Sequence, residues 1–293
     1  MAITPLVFFG TDDFSDTVLT ALLSANIPVT LVVTKPDSPS GRGQKLNVPA
    51  VKKTAEAHGI RVLQPERLID IEAELRTLRP VAGVLASYGR IVPKSILDIF
   101  SPGIINVHPS LLPHYRGATP IESAILDGVT VTGVTIMQLV PEMDAGPIYA
   151  QAELPLSGNE TAPELYKMLA QKGAELLIRV LPQILDGSLL GQPQDPTKAT
   201  FTHLLKKEDG MLNPLALTAA EAERQVRAYL IYPRTRIEVF GYNLIITRAH
   251  AAAEPKTALD PRCLDGNYLV IDELIAPSGK TMTAEAFLNG YAA

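Results

Sequence analysis

Through the first two-thirds of the chain, short apolar runs alternate with stretches whose apolar residues recur at helical spacing. Leu6–Phe9 is uniformly apolar and stops at Gly10. The next segment puts Val18, Leu19, Leu22 and Leu23 on one face of a helix. Val29–Val33, Ile60–Leu63, Val81–Ala86 and Ile104–Val107 repeat the apolar-run motif, with helical segments around Pro49–His58, Glu72–Leu78 and Pro93–Phe100 between them. Strands that alternate with helices predict βαβ units and a mostly parallel, Rossmann-like sheet. Thr132–Leu139 and Ile148–Leu154 continue the strand pattern, and Val140 to Pro147 is short enough to join them as an antiparallel pair.

Thr161-Ala162-Pro163-Glu164 has the form of a capping box, Thr as N-cap and Glu at the third helical position, with Pro tolerated in the first turn. From Leu165 to Leu185 apolar residues repeat at helical spacing; Pro182 is expected to kink this helix or to mark a restart, and Gly187 is a C-cap candidate. Gly191-Gln192-Pro193-Gln194-Asp195-Pro196-Thr197 is polar and Pro-rich, as linkers are. Beyond it a helix over Ala219–Tyr229 precedes strands at Thr235–Phe240, Asn243–Arg248 and Tyr268–Leu274, with turn chemistry at Gly241 and at Asp265-Gly266-Asn267. The pattern predicts an α/β domain over residues 1–188, a linker over 189–205, and a small β-barrel-like (OB-like) domain over 206–293.

Composition narrows the class. At 46% hydrophobic and 19% charged, the 293 residues belong to a folded globular protein long enough for two cores. No apolar run approaches the ~20 residues that cross a bilayer, and the first residues lack the basic stretch of a signal peptide, so a cytoplasmic protein with no membrane association is expected. One cysteine, Cys263, permits no internal disulfide; it has no basic neighbour in sequence besides Arg262 and is expected to be dispensable. The net charge of −5 opposes non-specific nucleic-acid binding. Locally the balance reverses. Between Leu31 and Lys53 stand Lys35, Arg42, Lys45, Lys52 and Lys53 against Asp37 alone, either a solvated loop and helix face or a basic patch on an acidic body.

Candidate chemistry concentrates in Asn106-Val107-His108-Pro109-Ser110-Leu111-Leu112-Pro113. Pro109 cannot continue a ladder, so the chain leaves the sheet just after His108. Ligands of open α/β sheets bind outside the carboxyl ends of the strands, and alternation puts Asn106 and His108 on one face there. Taken singly, a His or Asn at a strand end is also an ordinary structural residue. Met143-Asp144-Ala145-Gly146-Pro147 is a second candidate that doubles as a plain turn. His114 does not pair with His108 at metal-ligand spacing and there is no Cys/His cluster, so no metal is expected. Gly10 alone is not a dinucleotide fingerprint, and no Gly-Lys-Ser phosphate loop is present.

Together these segments resemble the methionyl-tRNA formyltransferase family. The likeness runs through Phe9-Gly10-Thr11-Asp12-Asp13-Phe14, Thr34–Pro39 with Gly41–Leu46, Ala86–Pro93, the Asn106–Pro113 run followed by Arg116-Gly117-Ala118, Thr132–Met137 leading to Asp144, and Lys206–Gly210 at the entry to the second domain. Two positions depart from the pattern: Glu142 stands where a glycine is expected and Ala145 where a threonine is. The chain also lacks tryptophan, which that family commonly carries near Tyr229–Pro233.

The resemblance implies 10-formyltetrahydrofolate as formyl donor and the amine of methionyl initiator tRNA as acceptor, with a monomeric enzyme. It implies catalytic roles for Asn106, His108 and Asp144. Folate contacts would come from Ser110, Leu111, Leu112 and Pro113 and from Tyr88, Gly89 and Ile91; tRNA contacts from Lys35, Arg42 and Lys45. Glycinamide-ribonucleotide or sugar-nucleotide formyltransferases and formyltetrahydrofolate hydrolases are alternative enzymes with the same core. A tRNA- or folate-binding relic is the non-enzymatic alternative.

Overall fold

The computed structural model describes residues 6–40, 45–79 and 82–291. The chain packs into two compact units that interleave along the sequence. One comprises Met1–Gly117, Thr132–Leu154 and Tyr166–Phe201; the other Ala118–Val131, Pro155–Leu165 and Thr202–Ala293.

The first unit is built on a seven-stranded sheet. In chain order its elements begin with β1 (Leu6–Phe9), α1 (Asp13–Ser24), β2 (Val29–Val33), the short strands β3 (Ser38–Ser40) and β4 (Lys45–Asn47), α2 (Ala50–Ala57) and β5 (Arg61–Leu63). They continue with α3 (Glu72–Leu78), β6 (Ala82–Leu85), α4 (Lys94–Leu97) and β7 (Gly103–His108). After α5 (Pro120–Leu126), which belongs to the second unit, come β8 (Val131–Gln138), β9 (Ile148–Pro155) and α6 (Ala162–Leu185). The strand order is β5-β2-β1-β6-β7-β8-β9. β5, β2, β1, β6 and β7 run parallel, and β8 turns antiparallel to β7. β8 and β9 form the expected antiparallel pair: Gln138 N–H donates to Pro147 and Leu156 N–H to Thr130, so pairing partners approach from opposite directions.

Burial explains the apolar runs. β1 and β7 are buried at every position, as strands covered on both faces must be. Phe9 meets Tyr88 and Phe100 edge-on, each ring centroid 5.8 Å away, at the centre of a core that includes Val7, Leu31, Val33 and Ile104. α1 starts where Asp12 and Ser15 cap one another reciprocally, and buries Phe14, Val18, Leu19 and Leu22. The chain winds outward from β1 through β2 to β5, then returns with β6 on the other side of β1. This reversal opens a crevice at the carboxyl ends of β1 and β6.

Three local features refine the sequence reading. α6 contains Pro182 without a restart and ends at Leu185, followed by Gly187 at a φ of +78°, as a glycine past a helix end allows. Residues 35–48, read from their Pro and Gly content as a mobile loop, contain a two-stranded ribbon pairing Ser38 with Asn47, Pro39 with Leu46 and Ser40 with Lys45. The Gly-rich stretch is the turn signal between the two strands; Gly41 to Gln44, Arg42 among them, lie outside the described residues. The Pro-rich segment after α6 is not a free tether: Gln192 exchanges both backbone hydrogen bonds with Ile148, each 2.8 Å.

The second unit contains α5, α7 (Ala219–Ala228), an antiparallel sheet in the order β10 (Arg236–Val239), β11 (Tyr242–Ala252), β12 (Tyr268–Ile275) and β13 (Thr281–Thr283), and the closing helix α8 (Ala284–Tyr291). Leu244, Ile246, Leu269, Leu274 and Phe287 form its core. β13 and α8 were not anticipated, because a three-residue strand leaves almost no periodicity to read. No helix among the described residues is long and apolar enough to cross a membrane.

Cys263 lies in this second core, 5% exposed, and burial pushes its thiol above the ordinary value. The native thiol should therefore react with iodoacetamide at pH 8 at least ~10-fold more slowly than in the guanidinium-unfolded chain. Equal rates would show that the side chain is accessible. Cys263→Ser should lower stability by about 1–2 kcal/mol in urea unfolding, the cost of a poorly partnered buried hydroxyl.

Candidate active site

β7 carries two polar side chains into an apolar sheet. Asn106 lies opposite Leu85 of β6 and Met137 of β8, and His108 opposite Thr135 of β8. Both are buried, 6% and 4% exposed, and their spacing puts them on one face at the strand's carboxyl end. Pro109 then ends the ladder, as its missing N–H requires.

The surroundings of His108 fix its protonation pattern. Nε2 is 3.1 Å from the carbonyl oxygen of Tyr115. A carbonyl can only accept, so Nε2 carries a proton. The other ring nitrogen, Nδ1, lies 3.8 Å from Asp144 Oδ1. That is too long for a hydrogen bond, so the carboxylate faces this nitrogen without binding it. Asn106 has no side-chain hydrogen bond among the described residues, so its amide N–H₂ remains available to a reacting group.

Asp144 arrives on the loop between β8 and β9. Its Oδ2 accepts the Gly117 N–H at 2.8 Å, and its φ is +46°. Glu142, where the family pattern has a glycine, offers no easy positive φ; the loop takes its left-handed residue at Asp144, a residue type that tolerates this region better than most. Gly146 follows because a Cβ there would collide with the Gln138 carbonyl.

The remaining predicted residues fall in different surroundings. Ser110 is fully buried; its Oγ donates to the His114 carbonyl at 2.6 Å, and its own carbonyl accepts the Thr135 hydroxyl at 2.6 Å. Leu112 is buried and held by Thr135 and Gln151. Leu111 packs on Gly133 of β8. These side chains shape the turn after β7. Pro113 is half-buried, and its carbonyl accepts the Thr200 N–H. Tyr88 lies wholly inside the first core, where burial pushes its phenol up, while its carbonyl accepts the Thr11 hydroxyl at 3.1 Å. Gly89, at φ +68°, lies against the ammonium of Lys35, and Ile91 is 91% exposed. Arg42 lies outside the described residues, and of Lys45 only the backbone in β4 is described.

A cavity of about 700 Å³ opens beside the carboxyl ends of β1 and β2, lined among others by Thr11, Lys35, Lys53 and Arg90. It does not include Asn106, His108 or Asp144, which sit further along the sheet. Lys52 is engaged with Asp37 at 2.8 Å; this hydrogen bond, reinforced by Gln64, holds the Asp37 carboxyl below its ordinary value. Among the described residues no group of three His, Cys, Asp or Glu side chains is placed to hold a metal ion.

Some participants were invisible to pattern reading. The Tyr115 carbonyl and the Gly117 N–H are backbone groups and carry no residue-type signal. Gln194 sits in the segment read as a linker, yet its Nε2 donates to the carbonyls of Asp144 and Gly146 at 2.7 and 2.8 Å.

Comparison with known proteins agrees with this arrangement. Residues 4–181 match the formyl transferase family model. The chain is 47% identical over 255 residues to the methionyl-tRNA formyltransferase of Chloroflexus aggregans, covering 86% of this chain and 82% of that protein. It is 39% identical over 297 residues to the methionyl-tRNA formyltransferase of Halorhodospira halophila, covering 97% and 96%. Among solved structures, an N-formyltransferase from Helicobacter canadensis, in complex with folinic acid and dTDP-3-aminofucose, superposes with a TM-score of 0.68 at 19% identity, covering 92% of this chain and 98% of that one. That last likeness concerns the fold alone. The geometry at the end of β7 and the identity over nearly the whole length lead to one family: this chain belongs to the methionyl-tRNA formyltransferases.

Proposed function

We propose that this protein moves a formyl group from 10-formyltetrahydrofolate to the amine of methionyl initiator tRNA, with Asn106, His108 and Asp144 as its catalytic residues. The observation that carries the reading is the approach of a carboxylate from the β8–β9 loop to buried His108, on the same face of β7 as buried Asn106. The family membership supplies the donor and the acceptor.

The chemistry follows from the groups present. The methionyl nitrogen attacks the formyl carbon, a C–N bond forms, and the carbonyl oxygen becomes an oxyanion. Collapse breaks the bond between that carbon and the folate nitrogen, and the proton lost by the amine is returned to the leaving nitrogen. The free amide of Asn106 donates to the oxyanion. His108, with Nε2 fixed as a donor by Tyr115, takes up positive charge at Nδ1 facing Asp144 and stabilises the same negative charge. Asp144 keeps that charge in place and assists proton movement off the amine. No covalent enzyme intermediate is required. Exposed Ile91 and the Gly89 backbone offer contacts to the donor, with the turn Ser110 to Pro113 holding the site's shape.

Residues 1–188 carry the chemistry, and residues 206–293, connected through 189–205, add surface for tRNA. Lys35, Arg42 and Lys45 are the residues assigned to the acceptor arm; Lys35 precedes the β3–β4 ribbon in sequence and Lys45 begins β4. The deciding experiment offers formyl donor with charged initiator tRNA, glycinamide ribonucleotide, a sugar-nucleotide amine or water alone. Formyl should appear on the tRNA; product only with another acceptor would replace this reading.

Asn106→Ala is expected to lower kcat by ~10²–10³, the usual effect of deleting an oxyanion donor, and His108→Ala and Asp144→Ala by ~10²–10⁴. All three variants should keep the wild-type circular dichroism spectrum. Near-normal turnover in any one removes that residue from the catalytic set.

Arg42→Ala and Lys45→Ala should raise KM for charged tRNA without altering folate binding. Across a salt series each should flatten the log–log dependence of tRNA affinity by ~0.7–0.9, the signature of one lost phosphate contact. An unchanged slope and KM would make the ribbon an ordinary surface feature.

A further inference from the structure

The segment after α6 does more than join two parts of the chain. It lies along the loop that carries Asp144. Gly191 stands so close to Pro147 that a built Cβ would come within 2.7 Å of it. Gln192 closes two backbone hydrogen bonds with Ile148. Two residues later the Gln194 side chain reaches the loop's tight turn, donating to the carbonyls of Asp144 and Gly146. Its Oε1 is gripped by the Arg116 guanidinium, with Nε at 3.1 Å and a terminal nitrogen at 2.7 Å. Donors on one side and two carbonyl acceptors on the other leave one orientation for the amide. Arg116 is buried, 6% exposed, and its neighbour Gly117 donates to the Asp144 carboxylate. The ring of contacts is closed: Asp144 is gripped at its carboxylate by Gly117 and at its backbone by Gln194, and both are tied together through Arg116.

We infer that Gln194 is a positioning residue for formyl transfer: it locks Asp144 in its left-handed conformation, which aims the carboxylate at His108. The inference rests on the catalytic assignment of Asp144 made above. A left-handed aspartate has an ordinary extended or helical alternative available at each thermal fluctuation. Swinging to it would carry Oδ1 away from His108 Nδ1, already 3.8 Å apart. The two carbonyl bonds from Gln194 can both be made only while the turn holds its present shape. A glutamate at 194 would keep the side-chain volume and an oxygen for Arg116, but it would present a second oxygen to the two carbonyls in place of the amide N–H₂.

The test uses the full-length protein in steady-state transfer to charged initiator tRNA. Gln194→Glu and Gln194→Ala should each lower kcat roughly 10- to 100-fold, with KM for tRNA and for formyl donor within about 2-fold of wild type. The pH–rate limb moved by Asp144→Asn should move in the same direction in Gln194→Glu, which a purely structural role would not produce. In the Asp144→Ala background, adding Gln194→Ala should change kcat by less than about 2-fold, because the residue acts through Asp144. Losses that multiply in the double variant, a rise in KM with kcat preserved, or wild-type kcat in Gln194→Glu would overturn the positioning role while leaving the catalytic set intact. Wild-type turnover in Asp144→Ala would instead overturn the reading of the site, and the role of Gln194 with it. Should Gln194→Ala fail to fold, the nearly isosteric Gln194→Glu decides alone.

Discussion

Asn106 and His108 are polar side chains buried at the end of a strand whose other positions are apolar. A buried polar group without a partner costs from about 1 to several kcal/mol, so a fold that keeps such groups must either satisfy them or expose them to a ligand. The surrounding loops divide the task. His108 is satisfied on one nitrogen by the Tyr115 carbonyl and faced on the other by Asp144. Asn106 is left to what binds. The turn after β7 must therefore bring the Tyr115 carbonyl back over the strand end, and Ser110, Thr135 and Gln151 supply hydrogen bonds that pin it there.

The same constraint reaches the β8–β9 loop. To face His108, Asp144 takes a left-handed backbone, a conformation that costs a non-glycine residue about 1–3 kcal/mol. Hydrogen bonds to its backbone and carboxylate, each worth about 0.5–1.5 kcal/mol net, are of the size needed to offset that strain. Two of those donors come from positions distant in sequence: Gly117 N–H, 27 residues before Asp144, and Gln194 Nε2, 50 residues after it. The site thus draws on three separate stretches of chain, and only the first of them is a regular strand.

That division explains what could be read beforehand. β1 and β2 were legible to the residue, because buried parallel strands leave apolar runs, broken in β2 only by exposed Thr30. Asn106 and His108 stood out as polar residues at the end of such a run, and the family's motif named them together with Asp144. What escaped was whatever depends on backbone or on chain reversal. The ribbon β3–β4 hid behind Pro39 and the glycines, since composition marks a turn but not the pairing that flanks it. The left-handed residue of the β8–β9 loop could not be read from sequence, because an aspartate can occupy that region without the sign a glycine gives. Gln194 lay in a segment whose prolines suppress regular structure. Its polar, Pro-rich composition marked a linker, and composition carries no sign of what fastens irregular backbone, here side chains and a single bridge. Tyr88 ran the other way: the resemblance names it as a folate contact, yet its ring fills the core against Phe9.

On the proposed reading, chemistry and acceptor choice rest on different residues. Asn106, His108 and Asp144 would then meet only the formyl carbon, its oxygen and the attacking nitrogen, which any amine acceptor presents. Selecting an RNA must be done elsewhere, by groups that carry positive charge on a chain whose net charge is −5. The local count is smaller than the sequence suggests, because Lys52 is already neutralised by Asp37. The positive charge left in this stretch is carried by Lys35, Arg42, Lys45 and Lys53, on or beside the ribbon. In sequence Arg42 is flanked by Gly41 and Gly43, small neighbours that suit the phosphate contact proposed for it. Dissolved salt confines attraction to about a Debye length, ~8 Å at physiological ionic strength. On the proposed reading a nucleic acid is therefore held where basic groups lie close to it, so contact at the ribbon orients the acceptor end while residues 206–293 add further surface for the tRNA.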